Sequence, residues 1–513
     1  MDGSGSGKSA SYSIPNASQL LGSYVFTDPK GELYDRTAGY LKSNGYEIKV
    51  LNLVRPQNSD GYNPIFHIGS ELDVDVIANT IVKGQQTGDA SDPYWDDMAE
   101  MLLKALIYYL IAKRPKEEQN LASCAELVRA ANNNGGSNLL TELMNELPYD
   151  HPARRYYKSI EIAPEKTYGS ILSSLQSKLG KFDSEEIAEV TSTNTIDFRE
   201  IGSKKTAVYV ISSDTHTAYD FLLTIFFSQM IQHLYDFADE NGGALPMPTY
   251  FILDEFANIG RIPDFDKKIS TSRSRKISFS VILQNLDQLE AVYKDSFETI
   301  IGNCDTHVFL GSNSQKTVEY FSKALGEKTI QRESISINRD RQNWKQGSSE
   351  SEQVMGRALL TPDELRRFDN DYCIIFEKGI KPIKAKKYYY FEKPIAKKLA
   401  MVRLNHNEVE ETDRGRWRKF NPYNPYQESG SGNKAKPDLK VESLDDLFED
   451  TEPPKKEEKI NKMEEEAPIL PQEEVVELEN KTEPVEEPFS EDIQKELEAK
   501  FDELFGPMED DAE

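Results

Sequence analysis

The chain has 513 residues, a net charge of −27, three cysteines and six histidines. One hydrophobic core does not extend over that length, so roughly two to four domains are expected. Cys124, Cys304 and Cys373 are odd in number and far apart, and the histidines form no H-x-x-x-H cluster; together these argue against a disulfide framework and an ordinary zinc site, and for a reducing compartment.

The chain opens with GSGSGKSAS, in which Gly3, Gly5, Gly7, Lys8 and Ser9 make up most of a phosphate-binding loop of pattern G-x-x-x-x-G-K-[ST], with Asp2 at the first glycine position. The same run also has the composition of a flexible linker. SASYSIPNASQLLG then reads as a short helix, SYVFTD as a strand, DPKGELYDRTAGYLKSNG as a turn and helix ending at a glycine, and YEIKVLNL as a second strand. Strand and helix alternating at this spacing predict a parallel sheet covered on both faces.

From Asp92 to about Leu179 the pattern is helical, through DPYWDDMAEMLLKALIYYLIAK, CAELVRAANNN, SNLLTELMNEL and SILSSLQSKLG. Sheet signals return with KTAVYVIS, PTYFILDE, KISFSVILQ, THVFLGS, DYCIIFE and KKYYYFE. FLLTIFFSQMIQHL and MLLKALIYYLIAK fall short of the ~18 uninterrupted apolar residues of a membrane span and read as buried helices. The expected division is a nucleotide-binding domain over 1–88 and 186–400, an inserted all-α domain over 89–185, and a linker with a disordered acidic tail over 401–513.

From Gln427 to Glu513 there are 30 acidic against 10 basic residues, a net of −20 that leaves −7 for the first 426. The acidity belongs to the tail, whose Glu, Pro, Lys and Asn bias is that of disorder. Its segments SLDDLFED (443–450) and KFDELFGP (500–507) resemble each other, and Ile493, Leu497, Phe501 and Phe505 recur every four residues, as in a short helix that folds on a partner. Such a tail repels DNA and reads as protein-binding.

The chemistry lies in three places. FILDEFANIG drives an apolar strand into Asp254 and Glu255, the way a buried strand delivers carboxylates to the carboxyl edge of a sheet. Beside a phosphate loop the first carboxylate holds Mg²⁺ together with the loop hydroxyl, here Ser9, and the second polarises the attacking water. KISFSVILQN ends at Gln284, a residue suited to orienting water or sensing a γ-phosphate, and STSRSRKIS offers Arg273 and Arg275 as guanidinium groups for a neighbouring subunit's site.

DPKGELY, LVRPQNSDGYNP, LDEFANIGRIPDF, TSRSRKISFSVILQNLDQLEAVYK and IIGNCDTHVFLGS, in that order, resemble the TraG-like coupling proteins of type IV secretion and conjugation, over residues 3 to 395. The resemblance implies an α/β fold, a RecA-like phosphate-loop NTPase domain with the all-α insertion. It implies ATP and Mg²⁺ as cofactors and a homo-hexamer at the inner face of the bacterial cytoplasmic membrane. The partners it implies are single-stranded DNA with bound relaxase and the secretion-channel proteins. On its motifs Glu255, Arg273 and Gln284 are catalytic, with Arg275 the rival of Arg273. Gly3, Gly5, Gly7, Lys8 and Ser9 bind nucleotide, Ser9 and Asp254 hold the metal, and Asp28 and Lys30 lie one step from the nucleotide edge. Family members carry a strand before the loop and membrane helices upstream of it, so an amino-terminal truncation is expected. Three functions compete: an ATP-driven DNA-transfer motor, a non-hydrolysing substrate receptor, and a DNA-pumping ATPase unconnected to secretion.

Overall fold

The computed structural model describes residues 7–83, 93–131, 138–213, 219–338, 347–408 and 414–423. Gly3, Gly5, Asp2 and both tail segments lie outside them.

Five strands form one wholly parallel sheet: β1 (Ser23–Thr27), β2 (Glu47–Asn52), β3 (Thr206–Ile211), β4 (Thr249–Leu253) and β5 (Ile277–Val281). Their order is β2-β3-β1-β4-β5. Every residue of β1 and β3 is buried, because layers cover both faces and continuous apolar runs suit such strands. The two-residue alternation sends neighbours to opposite cores. Val25, Val208, Val210, Phe251 and Leu253 join the larger core. Tyr24, Phe26, Tyr209 and Ile252 join the smaller one, against helix Glu32–Ser43. The aromatic rings of that second face pack directly, with Phe26 and Tyr209 4.9 Å apart. The Tyr209 hydroxyl is satisfied at 2.7 Å by Thr37.

Helix Asp220–Glu240 lies on the first face, buried without a break from Phe221 to Ile231. It is thus a core helix, and no described helix is long and apolar enough to cross a membrane. Between β2 and β3 the chain is helical, including Glu71–Lys83, Pro93–Lys113, Leu121–Ala131 and Glu165–Leu179. Residues of these helices share one apolar cluster with β1, β3 and β4, so packing draws no line between the helical stretch and the sheet.

A second, antiparallel sheet of order β10-β9-β6 follows, from β6 (Thr306–Phe309), β9 (Tyr372–Glu377) and β10 (Ile383–Lys386). Between β6 and β9 runs a hairpin of two twelve-residue strands, β7 (Glu327–Asn338) and β8 (Gly347–Ala358).

Two expectations are corrected here. KKYYYFE is not a strand: β10 ends at Lys386 and the aromatic run turns through a short helix, Tyr390–Glu392. Its Lys387 is buried with Nζ on the Leu310 carbonyl at 2.9 Å, and Tyr390 packs into the smaller core, so the run serves as a turn. Likewise, a linker does not begin at 401. Helix Ile395–Met401 seats Leu399 in the smaller core, and the chain then lies on helix Glu32–Ser43, close enough that a Cβ on Gly39 would stand 1.5 Å from the Val402 carbonyl oxygen. His406 continues the contact by donating its backbone N–H to Asp35 at 2.7 Å. Residues 414–423 end on the helical stretch, where Phe420 is buried under the Arg114 guanidinium at 4.0 Å. Arg418 binds the buried Glu118 at 2.7 Å there. Charged, Pro- and Asn-rich composition concealed these anchors.

Candidate nucleotide site

Gly7 stands at φ +72°, which suits the residue that turns the loop into a helix. The helix follows at once, as a π-helical turn Ser9–Ser13 continued by Ile14–Ala17. Tyr12 pins it to the sheet through a 2.8 Å hydrogen bond with Ser280 of β5. The N-terminus of that helix, with its free N–H groups, therefore sits over the carboxyl edge of β4 and β5, where an anion is favoured.

Asp254 and Glu255 protrude from that edge for a specific reason. Ile282 donates its N–H to the Leu253 carbonyl and accepts the N–H of Phe256, so the two carboxylate residues between are looped out of the ladder. Glu255 takes left-handed backbone, φ 50°, a conformation costing roughly 1 kcal/mol or more for a residue with a Cβ. The burial of Phe256 just beyond it holds the turn. Thr27, at the end of β1, donates its hydroxyl to the Asp254 carbonyl at 2.6 Å and fixes the turn from the other side.

The predicted site residues meet here. Lys8 Nζ lies 3.9 Å from Asp254 Oδ1, and Ser9 Oγ donates to Asp254 Oδ2 at 3.4 Å. Burial pushes the Asp254 carboxyl above its ordinary value, and the Lys8 ammonium opposes that shift. Gln284 Nε2 donates to Glu255 Oε1 at 3.0 Å, and Asn258 Nδ2 to Oε2 at 3.2 Å, so both carboxylate oxygens of Glu255 are held. A hydroxyl beside a half-buried carboxylate, at a helix N-terminus that favours phosphate, fits the hard oxygen donors of Mg²⁺, which keeps waters and phosphate as its other ligands. Among the described residues no group of three or more His, Cys, Asp or Glu could hold a metal by itself.

Arg273 and Arg275 are not part of this constellation. They precede β5 and stand at its amino end, about 16 Å of strand from the carboxyl edge. The Arg273 side chain is 93% exposed, with Asp305 at 3.8 Å. Arg275 is tied to Asp239 through Nε and Nη2 at 3.0 and 3.1 Å and lies over the Tyr235 ring. Asp28 follows β1 directly and is buried as the acceptor for the Tyr34 N–H at 2.8 Å in the first turn of helix Glu32–Ser43, while Lys30 is exposed. Burial pushes the Asp28 carboxyl up to about 7.

Three supporting residues were absent from the sequence reading. Asn258 follows Glu255 by one helical turn in LDEFANIG, a spacing that could have revealed it. Thr27 and Tyr12 touch the site across 227 and 268 residues, with no local signal.

Residues 1–413 match the family model described as Type IV secretory system Conjugative DNA transfer. The conjugal transfer protein TraG of Escherichia coli is 26% identical over 430 residues, covering 76% of this chain and 66% of TraG. Protein VirD4 of Rhizobium radiobacter is 24% identical over 410 residues, covering 77% and 56%. The chain thus spans less than two thirds of the length of either relative. The fold matches the bacterial conjugative coupling protein TrwB, both unbound and with the non-hydrolysable ATP analogue ADPNP. The TM-score is 0.55 in both cases, at 16% and 15% identity, covering 75% of this chain and 82% and 83% of TrwB. The chain belongs to the type IV secretory system conjugative DNA transfer family, whose members include TraG-like coupling proteins.

Proposed function

We propose that the chain is an ATP-driven coupling protein that recruits relaxase-bound single-stranded DNA and delivers it to a type IV secretion channel. The observation that carries this reading is the meeting of Lys8, Ser9, Asp254, Glu255 and Gln284 on one sheet edge. The loop N–H groups and Lys8 bind the phosphates of ATP, and Ser9 and Asp254 would hold Mg²⁺. That ion, when bound, neutralises charge on the β- and γ-phosphates. Glu255, fixed by Gln284 and Asn258, accepts a hydrogen bond from the attacking water and directs it in line. Gln284 contacts that carboxylate directly, so it can report a change at the γ-phosphate to β5.

Arg273 stands too far from its own site to touch it and acts on a neighbour's, as a homo-hexamer of these subunits requires. Arg275, held by Asp239, anchors the turn between them. We assign substrate contact to the helical stretch and place the assembly at the inner face of the cytoplasmic membrane. Cofactor, partners and place follow the family reading.

The test is transfer frequency from donor cells carrying Glu255→Gln in the chromosomal or plasmid copy. The expected result is loss of transfer with normal protein level. Undiminished transfer would contradict the motor and favour a non-hydrolysing receptor.

A further inference from the structure

Tyr389 lies on the phosphate loop although it is 382 positions away in the chain. A Cβ on Gly7 would be 2.9 Å from Tyr389 Cε1, so the ring rests on the loop backbone. Tyr389 stacks with Phe391, with centroids 5.1 Å apart and planes 21° from parallel. Its hydroxyl donates to the Asn370 carbonyl at 3.2 Å, which fixes the ring. Between the two, Tyr390 turns into the smaller core and anchors the short helix Tyr390–Glu392. One aromatic residue of the three thus pins the turn, Tyr389 is half-buried against Gly7 and Phe391, and Phe391 is left exposed.

That exposure is not what packing favours. Phe391 is 57% exposed, although full burial of such a side chain stabilises by about 1.5–3 kcal/mol. Flat, pre-stacked rings beside a phosphate loop match one chemistry in particular, a heteroaromatic base attached to phosphates. Base–aromatic stacking is worth about 1–3 kcal/mol and tolerates every base, since each has a π-face.

We propose that Tyr389 and Phe391 form the stacking platform for the base of the nucleoside triphosphate whose phosphates the Gly7–Ser9 loop receives. The inference rests on the nucleotide-loop reading above and adds to it a base subsite. Recognition by stacking accepts adenine and guanine alike, so ATP and GTP bind with similar affinity.

The experiment is calorimetric titration of the full chain with Mg-ATP and, separately, with Mg-tripolyphosphate, which has the phosphates and no base. Phe391→Ala and Tyr389→Ala are each expected to weaken ATP about tenfold and leave tripolyphosphate unchanged, with Tyr389→Phe close to the parent. Unaltered ATP affinity in both alanine variants, with tripolyphosphate still bound, would overturn the platform and spare the loop. Equal loss of both ligands would also overturn it, because the rings would then support the loop and not the base. Binding of neither ligand by the parent would contradict the loop reading itself, and the platform with it.

Discussion

The nucleotide edge and the helical stretch are held together by opposite means. At the edge, groups 245 residues apart in sequence meet through single polar contacts, such as Ser9 to Asp254, on backbone that includes a left-handed glutamate. In the helical stretch apolar side chains do the work. Leu102, Leu106, Leu127 and Leu175 are fully buried, and the returning chain is tied on through Arg418 to Glu118, which Arg114 also holds. The first region carries costly geometry, the kind that clusters at functional sites. The second minimises cost, and so its side chains disclose little about what it binds.

An open surface groove lined by Trp95, Asp96, Lys166, Ser170 and Lys178 among others illustrates this. It lies on the helical stretch, away from the nucleotide edge, and its Asp96 already has Lys178 at 3.7 Å.

The largest expected effect separates the two arginines. Arg273→Ala should lower ATP turnover about 10³-fold, the usual scale for a guanidinium supplied in trans. Arg275→Ala, which breaks a partly exposed pair, should change stability by about 1 kcal/mol or less and leave turnover within a fewfold. Mixing Arg273→Ala with Glu255→Gln should restore part of the activity, since some neighbouring pairs then have one intact interface. No recovery in mixed assemblies would count against action in trans.

Breaking the return of the chain onto the helical stretch comes next. Glu118 is 1% exposed between two arginines, and Glu118→Ala leaves two half-buried guanidinium groups without their partner, at a cost of at most about 3–5 kcal/mol. Denaturant midpoints should show that loss, with nucleotide affinity of the folded fraction unaltered. A shift below 1 kcal/mol would mean that residues 414–423 contribute little to the fold.

Asp28 gives a pH signature of at most about 4 kcal/mol. Its folded carboxyl titrates at about 7, above the unfolded value, because burial outweighs the Tyr34 N–H bond and the nearby His406, and Asp35 pushes in the same direction as burial. The folded state therefore holds its proton more tightly. The resulting stability is complete below pH 4, declines as pH rises toward 7, and is lost above it. Asp28→Asn retains an acceptor for Tyr34 and lacks the titration, so its stability relative to the parent should improve from pH 5 to pH 8. A difference that does not vary with pH would contradict the assignment.

Much of this molecule was legible in the sequence, and the rest was hidden for identifiable reasons. β1 to β5 and helix Pro93–Lys113 follow from apolar runs bounded by turn residues. Asp254 and Glu255 are legible as candidates because the apolar run of β4 stops just before them, and Gln284 because it stands three residues past the end of β5. The β7–β8 hairpin was missed, since ESISIN and its partner alternate weakly within polar sequence. The YYYF turn was misread as a strand because the same aromatic composition serves both, and only the partners of Lys387 and Tyr390 decide. Contacts such as Tyr389 on Gly7 and His406 on Asp35 are purely tertiary, with no local pattern to reveal them.

The most direct measurement of the central claim is Mg-ATP turnover by the chain, with and without single-stranded DNA, beside its Glu255→Gln variant. The predicted result is turnover stimulated by DNA and reduced about 10²–10³-fold by the substitution, the scale for a group that directs proton transfer. Turnover at background in the folded chain, or equal turnover in the variant, would contradict it.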